Sequence, residues 1–249
     1  MRSSFTCMKG VIALLVFVIS QYALGAPFSY SWNIKELAAS NAGRVELRDR
    51  RGKLLKTVDT SQMRYLYAVK NSIEQVSETQ TELIIVDGKQ PNAFAGKGDG
   101  NQNIIGINFA MLDIIGMDVH VAAALIGHEL AHIRLKHGEA KKSRTYSVGL
   151  MKILGGVALS VLGVPAAQTI SNLSFTAIDT KYSRDDEREA DYLGAIWSVE
   201  AGYEVYGAVR LQEAVHKQSR SRAMPFLSSH PSGPERIATL KSLSRRLSK

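Results

Sequence analysis

His128-Glu129-Leu130-Ala131-His132 is the stretch of this 249-residue chain that predicts most about its fold. Asp118 is a suitable N-cap before it and Gly138 a suitable C-cap after it, so we expect one helix between them. Residues four apart share a helix face, so both imidazoles point the same way. Two neutral imidazoles suit Zn²⁺, and Glu129 can accept a proton from a water at the metal. The pattern predicts hydrolysis of a peptide bond.

A solvated helix that carries two histidines by chance is the alternative interpretation of this stretch. The residues around it argue against that alternative because they form a wide apolar surface. This surface comprises Val119, Ala122, Ala123, Leu125, Ile126, Leu130 and Ile133. A helix with so wide an apolar surface is typically central, which predicts that the two histidines lie at the floor of a cleft.

A zinc site that hydrolyses needs a third protein ligand, and a second helix can supply it. Ser183 and Asp186 have the spacing of a capping box and predict the start of that helix. Glu187 and Asp191 then share a face. One carboxylate can bind the metal while the other accepts the spare N–H of a ligating histidine. The alternative is an acidic first turn that only complements the helix dipole.

The two motifs together resemble the zinc metallopeptidase family that includes HtpX, the CAAX prenyl proteases and the periplasmic BepA type. The resemblance rests on His-Glu-x-x-His followed by Ser-Arg-x-x-Glu-x-Glu-Ala-Asp, which begins at Ser183. It places the third zinc ligand at Glu187 rather than Glu189. Asp191 is then the carboxylate that orients the ligands, and one Zn²⁺ per chain is the expected cofactor.

Two further stretches agree with this family, so that the resemblance covers roughly Tyr65 to Leu240. Asn92-Ala93-Phe94-Ala95 matches a segment upstream of the metal helix, and His230-Pro231 with Glu235-Arg236-Ile237 matches a C-terminal segment. In enzymes of this type, the sheet beside the metal helix has a free edge along which an extended substrate lies. The resemblance therefore implies that residues 92–95 bind protein or peptide substrate by strand addition.

The expected fold class is α+β: a mostly helical, zincin-like metallopeptidase domain with a small antiparallel or mixed sheet beside the metal helix. Three apolar runs predict the strands: Leu83-Ile84-Ile85-Val86, Ala93-Phe94-Ala95 and Ile104-Ile105-Gly106-Ile107. Three glycines between the last two strands are also compatible with a phosphate-binding loop. No Gly-Lys-Ser/Thr follows them, so a hairpin turn is favoured.

Three other residues have more than one interpretation. His230, in a loop, could donate to the developing oxyanion or occupy the vacant metal position in a resting state. Arg236 is a second candidate for the oxyanion, or else a structural ion-pair partner. His137 lies five residues after His132, which departs from the metzincin spacing, so we interpret it as a helix-terminal imidazole that complements the dipole.

The N-terminus has the pattern of a secretory signal. Arg2 and Lys9 precede the apolar run 11–19, and Ala23-Leu24-Gly25 supplies small residues before a cleavage site after Gly25. Residues 1–25 are thus expected to be a signal peptide that directs export to the periplasm, with an uncleaved membrane anchor as the alternative. The one cysteine, Cys7, lies inside this segment, so the mature chain is expected to contain no disulfide.

The remaining chain is expected to form one catalytic domain over residues 61–249, preceded by a segment of uncertain structure over 26–60. In that segment, two apolar runs flank a charged turn around Gly52 and predict a short hairpin. Amphipathic helices are expected from Met63 to Val76 and from Tyr203 to Ser219.

Charge and hydropathy indicate few further partners. The net charge of +8 favours anionic surfaces, but no nucleic-acid motif accompanies it, so no nucleic-acid partner is expected. Lys141, Lys142 and Arg144 precede an apolar segment, Val148 to Ala167, whose unbroken part is too short to span a bilayer. It is either a helical hairpin that covers the cleft or an element that contacts the membrane surface.

The sequence leaves two functional hypotheses. In the favoured one, zinc is held by His128, His132 and Glu187, Glu129 is the general base, and the substrates are unfolded or misassembled envelope proteins. The rival is a zinc-containing periplasmic chaperone or assembly factor with rare or latent proteolysis. A cleft covered by residues 148–167 or by His230 would favour the rival.

Overall fold

The computed structural model of the protein describes residues 28–98, 101–139, 182–219 and 225–247. Two predicted segments lie outside these residues: the signal peptide over 1–25 and the apolar segment from Val148 to Ala167. The division into a signal, an N-terminal segment and a catalytic domain therefore stays a prediction.

A four-stranded sheet and a separate two-stranded hairpin make up the β structure of the described residues. The strands are β1 (Ser31–Asn33), β2 (Arg44–Arg48), β3 (Leu54–Asp59), β4 (Glu82–Val86), β5 (Ala93–Lys97) and β6 (Asn103–Asn108). The order in the larger sheet is β1-β4-β6-β5, with β4 and β6 parallel and the other pairs antiparallel. This is the mixed sheet that the sequence predicts, and β5 forms one of its edges.

Helices make up most of the rest of the described chain. They are α1 (Ile34–Ala39), α2 (Thr60–Ser77), α3 (Phe109–Ile115), α4 (Val119–Arg134), α5 (Arg184–Glu200), α6 (Tyr206–Ser219), α7 (Pro225–Ser229) and α8 (Pro234–Leu247). The predicted α+β class is therefore confirmed. The segment 26–60, which the sequence left uncertain, contributes β1, α1 and the hairpin of β2 and β3, whose turn contains Gly52 with φ of 79°.

Helix α4 lies at the centre of the molecule, packed against α2, α5, α6 and strand β5. Its residues from Val121 to His132 are all buried, which agrees with the wide apolar surface in the sequence. Asp118 is the N-cap, as predicted, and accepts the backbone N–H groups of His120 and Val121. Arg210 of α6 contacts the same carboxylate with two nitrogens at 2.7 and 3.0 Å, which ties the start of α4 to its neighbour.

The C-terminal end of α4 differs from the prediction. The helix ends at Arg134 rather than near Gly138, and Lys136 has a positive φ of 56°. A lysine in this left-handed conformation interrupts the α-helix, which resumes only as a short helical stretch over 137–139. The N-terminal boundary was predictable because a capping side chain marks it. No glycine or proline marks the break after Arg134.

Helix α5 begins where the sequence predicts. Ser183 Oγ accepts the N–H of Asp186, and Asp186 accepts the N–H of Ser183, which completes a capping box. Further along, α5 crosses α4 at two glycines. A Cβ on Gly194 would lie 2.8 Å from the backbone nitrogen of His128, and a Cβ on Gly127 would lie 3.0 Å from the carbonyl oxygen of Gly194. The two backbones therefore meet directly beside His128.

None of the helices in the described ranges combines the length and the apolar character that crossing a bilayer requires.

Replacing Gly194 by alanine tests the importance of this crossing. The added Cβ meets backbone atoms that cannot rotate away, so we expect Gly194→Ala to lower the free energy of unfolding by about 2 kcal/mol. Gly43→Ala is the matched control because nothing lies within 4 Å of its Cβ position. Denaturant unfolding of both variants measures the effect. Equal midpoints for the two variants would contradict the close approach.

Candidate active site

Three predicted ligands from two helices converge in the interior. The Nε2 atoms of His128 and His132 on α4 lie 3.1 Å apart. The carboxylate of Glu187 on α5 lies 3.5 Å from the first of these nitrogens and 3.4 Å from the second. Tetrahedral bonds of 2.0–2.1 Å to zinc would place donor atoms about 3.3–3.4 Å apart. The spacing of these three donors fits a zinc ion between them.

His230 supplies a fourth donor to the same group. Its Nδ1 lies 3.2 Å from His128 Nε2 and 3.1 Å from a carboxylate oxygen of Glu187. Within the described residues, His128, His132, Glu187 and His230 form the one group that could hold a metal, and all four are buried. The ring of Phe226 stacks on His230 with centroids 4.6 Å apart. Of its two predicted roles, this position corresponds to the resting-state ligand.

The surroundings of His132 and Glu187 favour the deprotonated form of both side chains. Burial lowers the pKa of His132 to about 2, so its ring is neutral. Burial alone would raise the pKa of Glu187, but contacts with His132 and His230 outweigh it and hold that pKa well below its usual range. A neutral imidazole and an ionised carboxylate are both donors that Zn²⁺ binds.

Asp191 lies where it can orient His128. Its Oδ1 is 3.0 Å from His128 Nδ1, the ring nitrogen that does not face the other ligands. Burial would lower the pKa of His128, yet Asp191 and Glu187 outweigh it and the pKa is raised. The carboxylates of Asp191 and Glu187 therefore favour a positive charge beside His128, and a divalent metal ion would provide that charge.

Arg236 on α8 contacts both of these carboxylates. Its Nη1 donates to Glu187 at 2.5 Å and to the carbonyl of Pro231, while Nε and Nη2 each donate to Asp191 at 2.7 Å. Burial would lower the pKa of Arg236, but Asp191 and Glu187 outweigh it and raise it. Of the two roles predicted for Arg236, these contacts correspond to the ion-pair partner.

Glu129 faces the same interior space. Its side chain is 0% exposed, and among the described residues neither carboxylate oxygen has a hydrogen-bond partner. His230 Nε2 approaches one of these oxygens at 3.4 Å. A buried carboxylate without hydrogen bonds is unfavourable, and such groups typically face a water or an ion. This position agrees with the base that the sequence predicts.

Tyr182 is a contact residue that the sequence did not single out. Its ring stacks on His132 with centroids 3.8 Å apart, and its backbone N–H donates to the carbonyl of Ser229. The contact joins the start of α5 to the loop that carries His230. An aromatic residue directly before a helix N-cap is too common to mark a site, so only the fold reveals this role.

His137 also lies against the site, at a position the sequence did not predict. The break after Arg134 places His137 beyond the end of α4, so it is not in the last turn of that helix, where it was expected. Its Nδ1 is 2.9 Å from the Nδ1 of His132, and its ring is buried.

Comparison with known proteins agrees with this geometry. The model of "Peptidase family M48" matches residues 61–244, which include all four candidate ligands described above. The chain belongs to peptidase family M48. The zinc metallopeptidase family predicted from the motifs is thereby confirmed.

Individual relatives are distant in sequence. The mitochondrial metalloendopeptidase OMA1 of Schizosaccharomyces pombe is 27% identical over 174 residues, which cover 68% of this chain and 48% of that protein. The metalloprotease YcaL of Escherichia coli is 28% identical over 117 residues, 47% of this chain and 46% of its own. The protease HtpX homolog of Pyrococcus abyssi is 24% identical over 71% and 72% of the two chains. The chain spans about half the length of the first two relatives.

Removing the charge of Arg236 tests the ion-pair arrangement. Arg236→Gln leaves Glu187 and Asp191 buried without their cation, so we expect the free energy of unfolding of the metal-free protein to fall by about 3 kcal/mol. Arg246→Gln, an exposed position on the same helix, is the control. Denaturant unfolding in the presence of a chelator measures both variants. An Arg236→Gln variant as stable as the control would contradict the ion-pair role.

Proposed function

We propose that the protein is a zinc-dependent endopeptidase that hydrolyses unfolded or misassembled proteins of the cell envelope. The observation that carries the proposal is the convergence of His128 Nε2, His132 Nε2 and the Glu187 carboxylate beside the buried Glu129. Membership of peptidase family M48 supports it. Metal ligands and a carboxylate base in one interior space are what peptide hydrolysis requires.

Each residue has a distinct part in this proposal. Zinc, when bound, would act as a Lewis acid and would make a water molecule easier to deprotonate. Glu129 takes the proton from the attacking water and later delivers it to the leaving amine. His128, His132 and Glu187 hold the ion, while Asp191 and Arg236 hold the ligands in place through the contacts described above.

The preference for unfolded substrates follows from the sheet edge. Among the described strands, β5 pairs with β6 on one side only, and it packs beside α4. An extended segment could add to its outer side along Asn92, Ala93, Phe94 and Ala95, with affinity from backbone hydrogen bonds and little sequence preference. A folded protein presents few such segments.

The envelope location rests on the N-terminal sequence. The basic and apolar pattern of residues 1–25 supports export, and we propose a periplasmic enzyme that acts on exported proteins. Contact with the membrane surface, through the basic residues after α4 and the apolar segment from Val148, stays part of this proposal.

A second candidate function is that of an assembly factor or chaperone whose proteolysis is latent. The observation that favours it is the closed site: His230 lies among the metal ligands, and Tyr182 covers His132. His132, Glu187, Glu129 and His230 are all at most 1% exposed. Movement of the loop that carries His230 would make room beside the predicted ligands for a substrate carbonyl.

Substitution of Glu129 distinguishes catalysis from metal binding. We expect Glu129→Gln to retain zinc but to lose cleavage of an unfolded protein, because glutamine cannot accept the proton. His128→Ala should lose both zinc and cleavage. Product masses and metal content, measured with and without chelator, test these expectations.

Glu200→Gln, an exposed change on α5, is the control and should cleave as the wild type does. Full peptidase activity of Glu129→Gln would show that the base is another residue. Zinc-bound wild-type protein that binds unfolded chains without cleaving them would favour the assembly factor.

Substitution of His230 tests the latent state. If His230 occupies the fourth position at rest, His230→Ala opens the site, so we expect cleavage several-fold faster than in the wild type. Initial rates on the same unfolded substrate measure this. Slower cleavage with unchanged zinc content would instead indicate that His230 donates to the oxyanion.

A further inference from the structure

The ring of His137 lies between His132 and the surface of the molecule. Its Nδ1 is 2.9 Å from His132 Nδ1, and its Nε2 is 3.4 Å from Glu189 and 4.0 Å from Asp186. His137 is 4% exposed, whereas the side chain of Glu189 is 63% exposed. His132, His137 and Glu189 therefore form a row that runs outward. The row starts at Nδ1 of His132, the ring nitrogen that does not face the other metal ligands.

This contact depends on the break in the chain after α4. On a continuous helix, His137 would be rotated by about 140° from His132, because each residue turns the helix by about 100°. The positive φ of Lys136 brings the chain back so that the two rings meet edge to face with centroids 5.0 Å apart. A non-glycine residue in this conformation is unfavourable and persists where surrounding contacts hold it.

The tautomers of the two rings follow from the ligand geometry. His132 Nε2 faces His128 and Glu187, so it must present a lone pair to bind a metal. The proton of a neutral His132 ring is then on Nδ1, which faces His137 Nδ1. That nitrogen must accept, so the proton of His137 is on Nε2, which faces Glu189.

We propose that His137 is a positioning residue for His132. It accepts the Nδ1–H of His132, and so it fixes the tautomer and the ring orientation that turn Nε2 toward the zinc site. Ligating histidines usually donate this N–H to a carboxylate, a backbone carbonyl or water, and here a second imidazole takes that place. Glu189 holds the proton of His137 on the outer nitrogen. The inference rests on the proposed zinc site.

Zinc affinity tests this role apart from activity. His137→Leu keeps much of the volume but has no acceptor, so we expect zinc to bind roughly tenfold to a hundredfold more weakly in competition with a chelator. His137→Asn can place an amide oxygen near the position of Nδ1 and should recover most of the affinity. His216→Leu, a histidine on α6 away from the site, is the control and should bind as the wild type does.

Two further variants separate the parts of the row. Glu189→Gln should weaken zinc binding much less than His137→Leu, because Glu189 is exposed and its contact is long. Lys136→Gly should keep wild-type affinity, since glycine adopts a φ of 56° freely. Long-range ¹⁵N spectra of the histidine rings should show the proton of His132 on Nδ1 in the wild type and His137→Asn.

Different results would contradict the role of His137 and the zinc site itself. Wild-type affinity in His137→Leu would overturn the role of His137, and so would an equal loss in the leucine and asparagine variants, which would indicate packing alone. Thermal unfolding with chelator present checks that each variant is folded. A wild-type protein that binds no zinc would contradict the proposed function itself, and that result does not depend on any His137 variant.

Discussion

A buried carboxylate is costly unless cationic or polar groups face it, and Glu187 meets such groups at both of its oxygens. Arg236 donates to one oxygen at 2.5 Å, and the other oxygen faces ring nitrogens of His132 and His230 at 3.4 and 3.1 Å. These partners come from α4, α8 and the loop before α8, so the carboxylate joins elements that are distant in sequence. The glycine crossing of α4 and α5 allows the backbones to approach closely enough for this meeting.

The same contacts link metal affinity to stability. Arg236 contacts Glu187 and Asp191, and Asp191 lies 3.0 Å from His128 Nδ1, so these two residues help to hold the donors in place. An ion that binds the folded state alone would stabilise it further by mass action.

Much of the fold was predictable because local signals specify it. Asp118 caps α4, the capping box at Ser183 starts α5, and three short apolar runs become β4, β5 and β6. The two sequence motifs also identified the ligands that the fold brings together. What the sequence did not reveal depends on side-chain contacts that form only in the folded chain.

The break at Lys136 shows why. Lys136 adopts a left-handed conformation although it is not a glycine, so the sequence gives no signal for the break. The contact between His137 and His132 that accompanies this conformation exists only in the folded chain. The stacking of Tyr182 on His132 is likewise a contact that exists only in the folded chain.

The most direct test of the central claim is X-ray absorption at the zinc edge on the purified protein. We expect one zinc per chain with two or three imidazole nitrogens and a carboxylate oxygen at about 2.0–2.2 Å, and with the oxygen ligand altered in Glu187→Ala. Zinc absent from the wild type, or a spectrum unchanged by that substitution, would contradict it.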